Sequence, residues 1–175
     1  MLAEVLNWPL CPEHFDCQGI ALILLDLPKA ASRADARMHA RAVARKAACR
    51  LLQNSELIET PKGPKLAQSH VHLSLSYAKG KALVGFSCGR PLGVDIVRIE
   101  HMPEVDALTS LYLPVAEDFD DAGFALAWAR LEACCKALDL PLAEIDEHRK
   151  KAYASCELPE CLPIDGYRMA AALAP

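Results

Sequence analysis

The segment L-G-V-D-I-V-R-I, from Leu92 to Ile99, places an aspartate in the middle of an apolar, β-branched run. Such a run predicts a buried strand, in which aspartate is an uncommon residue. A carboxylate in that setting needs a cation, a hydrogen-bond network or a water-facing sheet edge, because burial without a partner is costly. Asp95 is therefore either a strand-end residue that faces water or a residue with a function.

Three further apolar runs precede this segment and predict strands. V-H-L-S-L-S-Y (Val71 to Tyr77) alternates apolar and polar side chains, as a half-buried strand does. It leads through a K-G-K turn into A-L-V-G-F-S (Ala82 to Ser87), so the two runs predict a hairpin. Upstream, I-A-L-I-L-L-D-L (residues 20 to 27) predicts a buried strand, and the turn-rich T-P-K-G-P-K (Thr60 to Lys65) predicts a loop.

Two long proline-free segments predict helices. The first spans residues 31 to 54, with Ser32 as its cap, and is rich in Ala, Arg and Leu. Its charges are basic except for Asp35, and they form either a solvated helix face or an anion site. The basic residues are Arg33, Arg37, Arg41, Arg45, Lys46 and Arg50.

The second long helix is predicted from Asp118 to Leu138, before Pro141. A short helix over residues 142 to 151 is predicted after it. Closing strands are predicted over Tyr153 to Leu158 and Tyr167 to Leu173.

The second helix carries a group of residues suited to chemistry. Glu132 and Lys136 lie four residues apart and Trp128 lies one turn earlier, so all three face one side. They form either an ordinary ion pair beside a buried tryptophan or, if Asp95 converges with Glu132, a pair of carboxylates suited to Mg²⁺. Lys136 would then reach a phosphate on that metal.

Composition limits the classes of protein that this chain can belong to. Its 175 residues suit one domain or two small halves that share a core, and 53% of them are hydrophobic. No apolar stretch suits a membrane span and the first residues do not resemble a secretory signal, so we expect a cytoplasmic protein without membrane association. A net charge of −4 excludes a generally basic nucleic-acid binder.

The chain has eight cysteines with irregular spacing. Disulfides are rare in the cytoplasm, which favours reduced cysteines that pack as small hydrophobic residues. Cys11, His14 and Cys17 lie three residues apart and are the alternative, a partial zinc site.

Taken in order, five motifs resemble the phosphopantetheinyl transferase superfamily, from about Arg41 to the end of the sequence. The family patterns are G-K-P, the N-L-S-H-S of surfactin-type members, G-[VI]-D-[IV]-[EV], W-x-x-K-E-x-x-x-K and the last strand of surfactin-type members. The corresponding segments here are G-P-K (Gly63 to Lys65), H-L-S-L-S (His72 to Ser76), G-V-D-I-V (Gly93 to Val97), W-A-R-L-E-A-C-C-K (Trp128 to Lys136) and D-G-Y-R-M-A (Asp165 to Ala170).

The resemblance implies an α+β fold of two similar subdomains related by a pseudo-twofold axis, each a helix packed on a small antiparallel sheet. We expect residues 1–66 to form the N-terminal subdomain with the basic helix and residues 67–175 the C-terminal subdomain with the metal and catalytic motifs. The implied enzyme is a monomer that transfers the 4′-phosphopantetheine arm of coenzyme A to a serine of an acyl, polyketide or peptidyl carrier protein. The reaction is Mg²⁺-dependent and releases 3′,5′-ADP.

The resemblance also implies roles for individual residues. Asp95 and Glu132 would hold Mg²⁺, Glu132 or a water that it orients would take the proton of the carrier serine, and Lys136 would stabilise the transferred phosphate. The residues that match family positions near the nucleotide and its 3′-phosphate are Arg41, Lys65 and Ser74.

Three positions depart from the family pattern. Val97 replaces a second acid of many surfactin-type members, although the small holo-acyl-carrier-protein synthases also have valine there. Leu75 replaces a histidine that contacts the 3′-phosphate, and Leu131 replaces the lysine before the catalytic glutamate. Two alternatives follow: a degenerate member that binds carrier protein or coenzyme A without transfer, and a binding module whose basic helix meets an acidic partner.

Overall fold

The polypeptide forms a mixed α+β fold in which two helices each cover a sheet. The computed structural model describes residues 2–3, 5–10, 19–28, 32–52, 56–60, 63–67, 70–114 and 118–175. Within these ranges the helices are α1 (Arg33–Leu52), α2 (Val105–Tyr112), α3 (Asp121–Ala137) and α4 (Glu147–Ala154). The strands are β1 (Leu2–Ala3), β2 (Val5–Asn7), β3 (Ile20–Asp26), β4 (Leu57–Thr60), β5 (Gly63–Leu66), β6 (Val71–Ala78), β7 (Lys81–Cys88), β8 (Leu92–Arg98), β9 (Glu160–Cys161) and β10 (Tyr167–Leu173).

The first half consists of α1 and a four-stranded sheet in the order β2-β3-β7-β6. β2 runs parallel to β3, whereas the other neighbours are antiparallel. Alternate residues of β3 face α1, which presents a flat row of small side chains that lets the helix lie close to the sheet. The buried residues of α1 are Ala36, Ala40, Val43, Ala44, Ala47 and Ala48.

The second half consists of α3 and the antiparallel pair β8 and β10, in which Asp95 lies opposite Ala170. Even-numbered residues of β10 pack against α3, and odd-numbered ones face the first sheet. On β8 the order is reversed: Leu92, Val94 and Ile96 face the first sheet. Because side chains alternate along a strand, residues 93, 95 and 97 of β8 lie on the side of α3.

A third apolar cluster fills the space between the two sheets. Leu22, Leu24 and Leu83 of the first sheet pack there against β8 and β10. Burial of each such leucine contributes roughly 1.5–3 kcal/mol, so this layer holds the halves together. The resulting order of layers is α1, first sheet, second sheet, α3.

Most of the predicted elements are confirmed. The strand predicted over residues 20 to 27 is β3, the hairpin is β6 and β7, and the two long helices are α1 and α3. Ser32 caps α1 as expected: its Oγ accepts from the backbone N–H of Asp35 at 3.1 Å and donates to the Asp35 carboxylate at 2.6 Å.

Three local predictions are wrong. The predicted loop from Thr60 to Lys65 contributes to the antiparallel hairpin β4 and β5, although residues 61 and 62 lie outside the described part. The short helix begins later, at Glu147, because Asp146 caps it by accepting from the N–H of Arg149 at 2.7 Å. The strand predicted over Tyr153 to Leu158 does not form: Tyr153 lies in α4, and Glu157 makes an isolated bridge to Leu173.

Strands on both sides of the predicted boundary between residues 66 and 67 share one sheet, because β6 and β7 pair beside β3. Among the helices of the described ranges, none has both the length and the apolar composition that a membrane crossing requires.

Candidate functional site

Asp95 lies on the α3 side of β8, and its side chain is almost fully buried, with 5% exposed. Its Oδ1 atom accepts two hydrogen bonds, one from Ser76 Oγ at 2.6 Å and one from Lys136 Nζ at 2.6 Å. A buried carboxylate is stable only when it is paired and hydrogen-bonded, and these two contacts meet both conditions. The sequence left open whether Asp95 faces water at a strand end or is held by partners. In the structure it is buried and held by Ser76 and Lys136.

Glu132 and Lys136 reach the same place from α3. Lys136 Nζ lies 3.8 Å from Glu132 Oε2 and also donates to the Val94 carbonyl at 3.1 Å. Trp128 Nε1 donates to Glu132 Oε1 at 2.9 Å, which fixes the carboxylate one turn along the helix. The structure therefore brings Asp95, Glu132 and Lys136 together, with the lysine ammonium between the two carboxylates.

The environment of Glu132 favours its protonated form. Burial raises the pKa of Glu132, and the nearby charge of Asp95 raises it further. Lys136 and the hydrogen bond from Trp128 act in the opposite direction, but the net pKa shift is upward. A raised pKa makes the ionised carboxylate a stronger proton acceptor, and partial exposure leaves it accessible from the cavity.

Gly93 brings α3 close enough to β8 for these contacts to form. A Cβ atom on Gly93 would lie 1.9 Å from the Ala133 carbonyl oxygen and 2.6 Å from the Ala137 backbone nitrogen. No side chain fits there, so the glycine allows helix and strand to touch through their backbones. Lys136, on the same stretch of α3, then reaches Asp95, two residues further along β8.

A cavity of about 780 Å³ opens above these residues, between the two halves of the fold. The first half contributes side chains from α1, from β6 and from the turn after β6, and the second half contributes β8, the loop after it and α3. The charged and histidine residues that line it are Arg33, Lys79, Asp95, Arg98, Glu100, His101, Glu132 and Lys136.

Two serines of the H-L-S-L-S motif join β6 to the free edge of β8. Ser74 Oγ accepts from the N–H of Val94 at 3.0 Å, and Ser76 Oγ accepts from the N–H of Ile96 at 3.3 Å. Each hydroxyl thus gives one buried N–H group of β8 a hydrogen-bond acceptor, on the side of the strand away from β10. Ser74, expected near the nucleotide from the family resemblance, thus has its hydroxyl engaged with the backbone of β8.

Arg41 and Lys65 lie away from this cavity. Arg41 pairs with Glu59 of β4 at 3.4 Å and lines a separate cavity of about 400 Å³ beside α1. Lys65 is exposed on β5, close to His72, where burial and then the charge of Lys65 lower the pKa of the imidazole. Neither cation is among the residues that line the Asp95 cavity.

The departures from the family pattern lie in different environments. Leu75 is among the residues that line the Asp95 cavity, and its partly buried side chain also packs against the apolar cluster beneath α1. Leu131 is buried in the core beneath α3, with 4% of its surface exposed. A lysine at position 131 would need a different local packing, because a charged group in that core lacks a partner.

Several residues of the cavity were not singled out from the sequence, whereas Arg33 was named there as one of the basic residues of the first long helix. Arg33, Lys79, Arg98 and His101 all line it, and His101 Nδ1 lies 3.3 Å from Asp121 Oδ1 at the start of α3. One feature of the sequence could have pointed to them, because each lies at or beyond the end of a helix or strand next to a motif. End positions become adjacent in space only through the packing of the two halves.

The donor set fits Mg²⁺ in type and number. This ion is usually held by one or two carboxylates together with substrate phosphates and water, and Asp95 with Glu132 supplies two carboxylates at a cavity edge. No group of three or more His, Cys, Asp or Glu side chains suited to a metal ion occurs in the part of the chain that the structure describes. Cys11, His14 and Cys17 lie outside that part.

No protein-family model matches this chain, and no curated protein is significantly similar to it in sequence.

Proposed function

We propose that this protein is a phosphopantetheinyl transferase, which moves the 4′-phosphopantetheine arm of coenzyme A to a serine of a carrier protein and releases 3′,5′-ADP. The observation that carries the proposal is the meeting of Asp95, Glu132 and Lys136 at one cavity, because these residues come from the two motifs most similar to the family. The order of the five motifs along the chain supports it.

The proposal includes the family's arrangement of two similar subdomains. In its support, each half of the described fold is a long helix on a sheet, and the cavity lies between the halves. Asp95 and Glu132 would hold Mg²⁺, which supplies charge neutralisation at the pyrophosphate of coenzyme A.

Glu132 is the proton acceptor in this proposal. It is half-buried, its pKa is raised by burial and by Asp95, and Trp128 orients it through one oxygen, Oε1. The serine hydroxyl of a bound carrier protein would give its proton to this carboxylate, or to a water held by it, as the serine oxygen attacks phosphorus. The serine–phosphorus bond forms while the bond between the two phosphates of coenzyme A breaks.

Lys136 and the other cations of the cavity stabilise negative charge. Lys136 has a third of its side chain exposed, so its ammonium can contact both the carboxylates and a phosphate in the cavity. Arg33, Lys79 and Arg98 add positive charge along the walls. A polyanion such as coenzyme A suits this distribution.

The test is transfer itself. A panel of apo acyl, polyketide and peptidyl carrier proteins is incubated with the protein, Mg²⁺ and coenzyme A, and intact mass is measured for each carrier. We expect at least one carrier to gain the mass of a phosphopantetheine group in wild-type samples and not with Glu132→Gln. No gain on any carrier, with coenzyme A binding absent as well, would overturn the proposal.

Binding without transfer is the second candidate, and two observations favour it. Lys136 Nζ lies 2.6 Å from Asp95 and so already neutralises a proposed metal ligand, and Leu75 offers no donor to a phosphate. In that case calorimetry would detect coenzyme A or an apo carrier protein while mass spectrometry shows unchanged carriers. Binding of neither would favour the third possibility, a module whose basic helix α1 meets an acidic partner.

A further inference from the structure

The turn between β6 and β7 is held from both halves of the fold. From the second half, the hydroxyl of Tyr167, at the start of β10, donates a hydrogen bond to the Lys79 carbonyl at 2.6 Å. From the first half, the N–H of Leu27 donates to the Gly80 carbonyl at 2.9 Å. Gly80 has a φ of +87°, and a Cβ atom there would lie 3.1 Å from the tyrosine hydroxyl. The backbone of the turn is therefore fixed directly beside Tyr167.

Tyr167 also lies beside Arg98. The two residues are opposite each other in the antiparallel pair of β8 and β10, so their side chains share one face of the sheet. Arg98 continues the alternation that places Val94 and Ile96 on the face of β8 toward the first sheet. One tyrosine therefore connects the segments that carry Lys79 and Arg98, although these segments belong to different halves of the fold.

Lys79 and Arg98 are among the residues that line the Asp95 cavity, as is Arg33 of α1. Within the described part of the chain, the side chains of these three cations form no hydrogen bond or ion pair, whereas Lys136 is paired with Asp95. Unpaired cations around one cavity give it a positive potential, which attracts an anion with several charges. Lys79 is exposed, so its flexible side chain can move its ammonium toward such an anion.

We propose that Tyr167 is a positioning residue for ligand binding, because its hydroxyl holds the turn from which the Lys79 ammonium binds a phosphate group of the ligand. The ligand class, a molecule with two linked phosphates, rests on the proposed function. Lys136 reaches this ligand from α3, and Lys79 reaches it from the first half, where Arg41 and Lys65 lie away from the cavity. A turn that is fixed before the ligand arrives reduces the entropy lost on binding.

The test is a double-mutant cycle that is measured by binding. Inorganic pyrophosphate, a small molecule with two linked phosphates, is titrated into the protein by calorimetry. The buffer has low ionic strength and no Mg²⁺, so that binding does not depend on the proposed metal.

We expect Lys79→Met to weaken pyrophosphate binding about tenfold, and Tyr167→Phe to weaken it about threefold, since the lysine is then displaced but still present. Lys79→Arg keeps the positive charge and should retain most of the affinity. Adding Tyr167→Phe to Lys79→Met should have little further effect, because the hydroxyl acts through the lysine.

Two matched controls separate positioning from stability. Tyr153→Phe also removes a tyrosine hydroxyl, which accepts from Arg149 at 3.3 Å outside the cavity, and Lys151→Met removes an exposed lysine of α4. Both should bind pyrophosphate as wild type does. Circular dichroism checks the fold of each variant, and Lys79 lies at an exposed turn where methionine is tolerated.

Three results would overturn the proposal: no binding of pyrophosphate by wild type, unchanged binding by Lys79→Met, or an effect of Tyr167→Phe that is equally large with and without Lys79. The last result would show that the tyrosine acts only on the fold. Transfer from coenzyme A is a separate measurement. The expected pyrophosphate cycle without any transfer or coenzyme A binding would reject the proposed reaction and still support the role of Tyr167.

Discussion

The Nζ atom of Lys136 lies 2.6 Å from Oδ1 of Asp95, a residue 41 positions earlier in the chain. The contact joins the only acidic residue within β8 to the last turn of α3, and Ser76 completes it with a bond to the same oxygen. A carboxylate held by a cation and a hydroxyl is fixed in position before any ligand arrives. The arrangement therefore has the preorganisation that a catalytic or ligand-binding centre needs.

Replacing Glu132 by Gln keeps the size of the side chain and an oxygen that can accept from Trp128, but removes the negative charge and the proton acceptor. We expect phosphopantetheine transfer to fall by at least about two orders of magnitude, with the fold retained. Transfer rates are measured by carrier-protein mass spectrometry, with Glu100→Gln, an exposed carboxylate of the same cavity, as the control. Near-normal transfer by Glu132→Gln would place the reaction elsewhere.

The raised pKa of Glu132 also predicts how stability depends on pH. Below the ordinary pKa of 4.5 the carboxyl group of Glu132 is protonated in both the folded and the unfolded chain. Its ionisation therefore does not change the free energy of unfolding in that range. As pH rises above 4.5, the unfolded chain releases the proton first, and the folded state loses stability until its own pKa is passed. We expect Glu132→Gln to remove this loss, so the variant should become more stable relative to wild type as pH rises above 4.5, until the folded-state pKa of Glu132 is passed. Urea unfolding in EDTA measures it, and a pH-independent difference would contradict the assigned environment.

Ser76 and Ser74 are expected to stabilise the junction between β6 and β8. Ser76→Ala leaves the buried N–H of Ile96 without its acceptor and takes one donor from Asp95, and Ser74→Ala leaves the N–H of Val94 without its acceptor. Each unsatisfied buried group costs about 1–3 kcal/mol, and Ser76→Ala should cost more because two contacts are lost. Denaturant titration gives the free energies of unfolding, with exposed Ser110→Ala as the control. Losses no larger than that of the control would show that water replaces the hydroxyls.

The sequence allowed Asp95, Glu132 and Lys136 to be identified because each signal is local. An aspartate in an apolar strand and an i, i+4 pair on a helix can be recognised without knowledge of distant contacts. The two long helices and the strands β3, β6 and β7 could be recognised from local composition and alternation for the same reason, whereas the bounds of α4 could not. Other residues of the cavity walls, such as Arg98 and His101, could not be identified, since their proximity to the site arises from the packing of the two halves.

Arg41 and Ser74 show the complementary difficulty. Their roles were carried over from a family motif, but a motif does not specify what the side chain contacts in a given chain. Here Glu59, on strand β4, which was not predicted from the sequence, pairs with Arg41, and the edge of β8 engages Ser74. The first contact depends on the packing of the β4–β5 hairpin beside α1, and the second on the packing of β6 against β8, which are not consecutive strands.

Gly93→Ala is expected to separate α3 from β8. The added Cβ would meet backbone atoms of Ala133 and Ala137, which cannot rotate away. We expect a loss of stability of about 1–3 kcal/mol or more, together with weaker transfer because Lys136 moves relative to Asp95. Gly85→Ala is the comparison, since its Cβ would meet the ends of side chains, so its loss should be smaller. Equal losses in thermal unfolding would mean that the helix adjusts without strain.

Leu75 offers a direct test of where the 3′-phosphate of coenzyme A lies. Leu75 is among the residues that line the cavity, and phosphopantetheinyl transferases of the surfactin type have a phosphate-contacting histidine at the matching position. Leu75→His adds a donor, and a hydrogen bond to a charged group contributes about 1.5–3 kcal/mol, which is about tenfold or more in affinity. We therefore expect calorimetric titration to show tighter binding of coenzyme A, and a much smaller gain for dephospho-coenzyme A, which lacks that phosphate. Because both ligands share every other group, equal gains would show that the new imidazole acts on a different part of the molecule and that Leu75 does not face the 3′-phosphate.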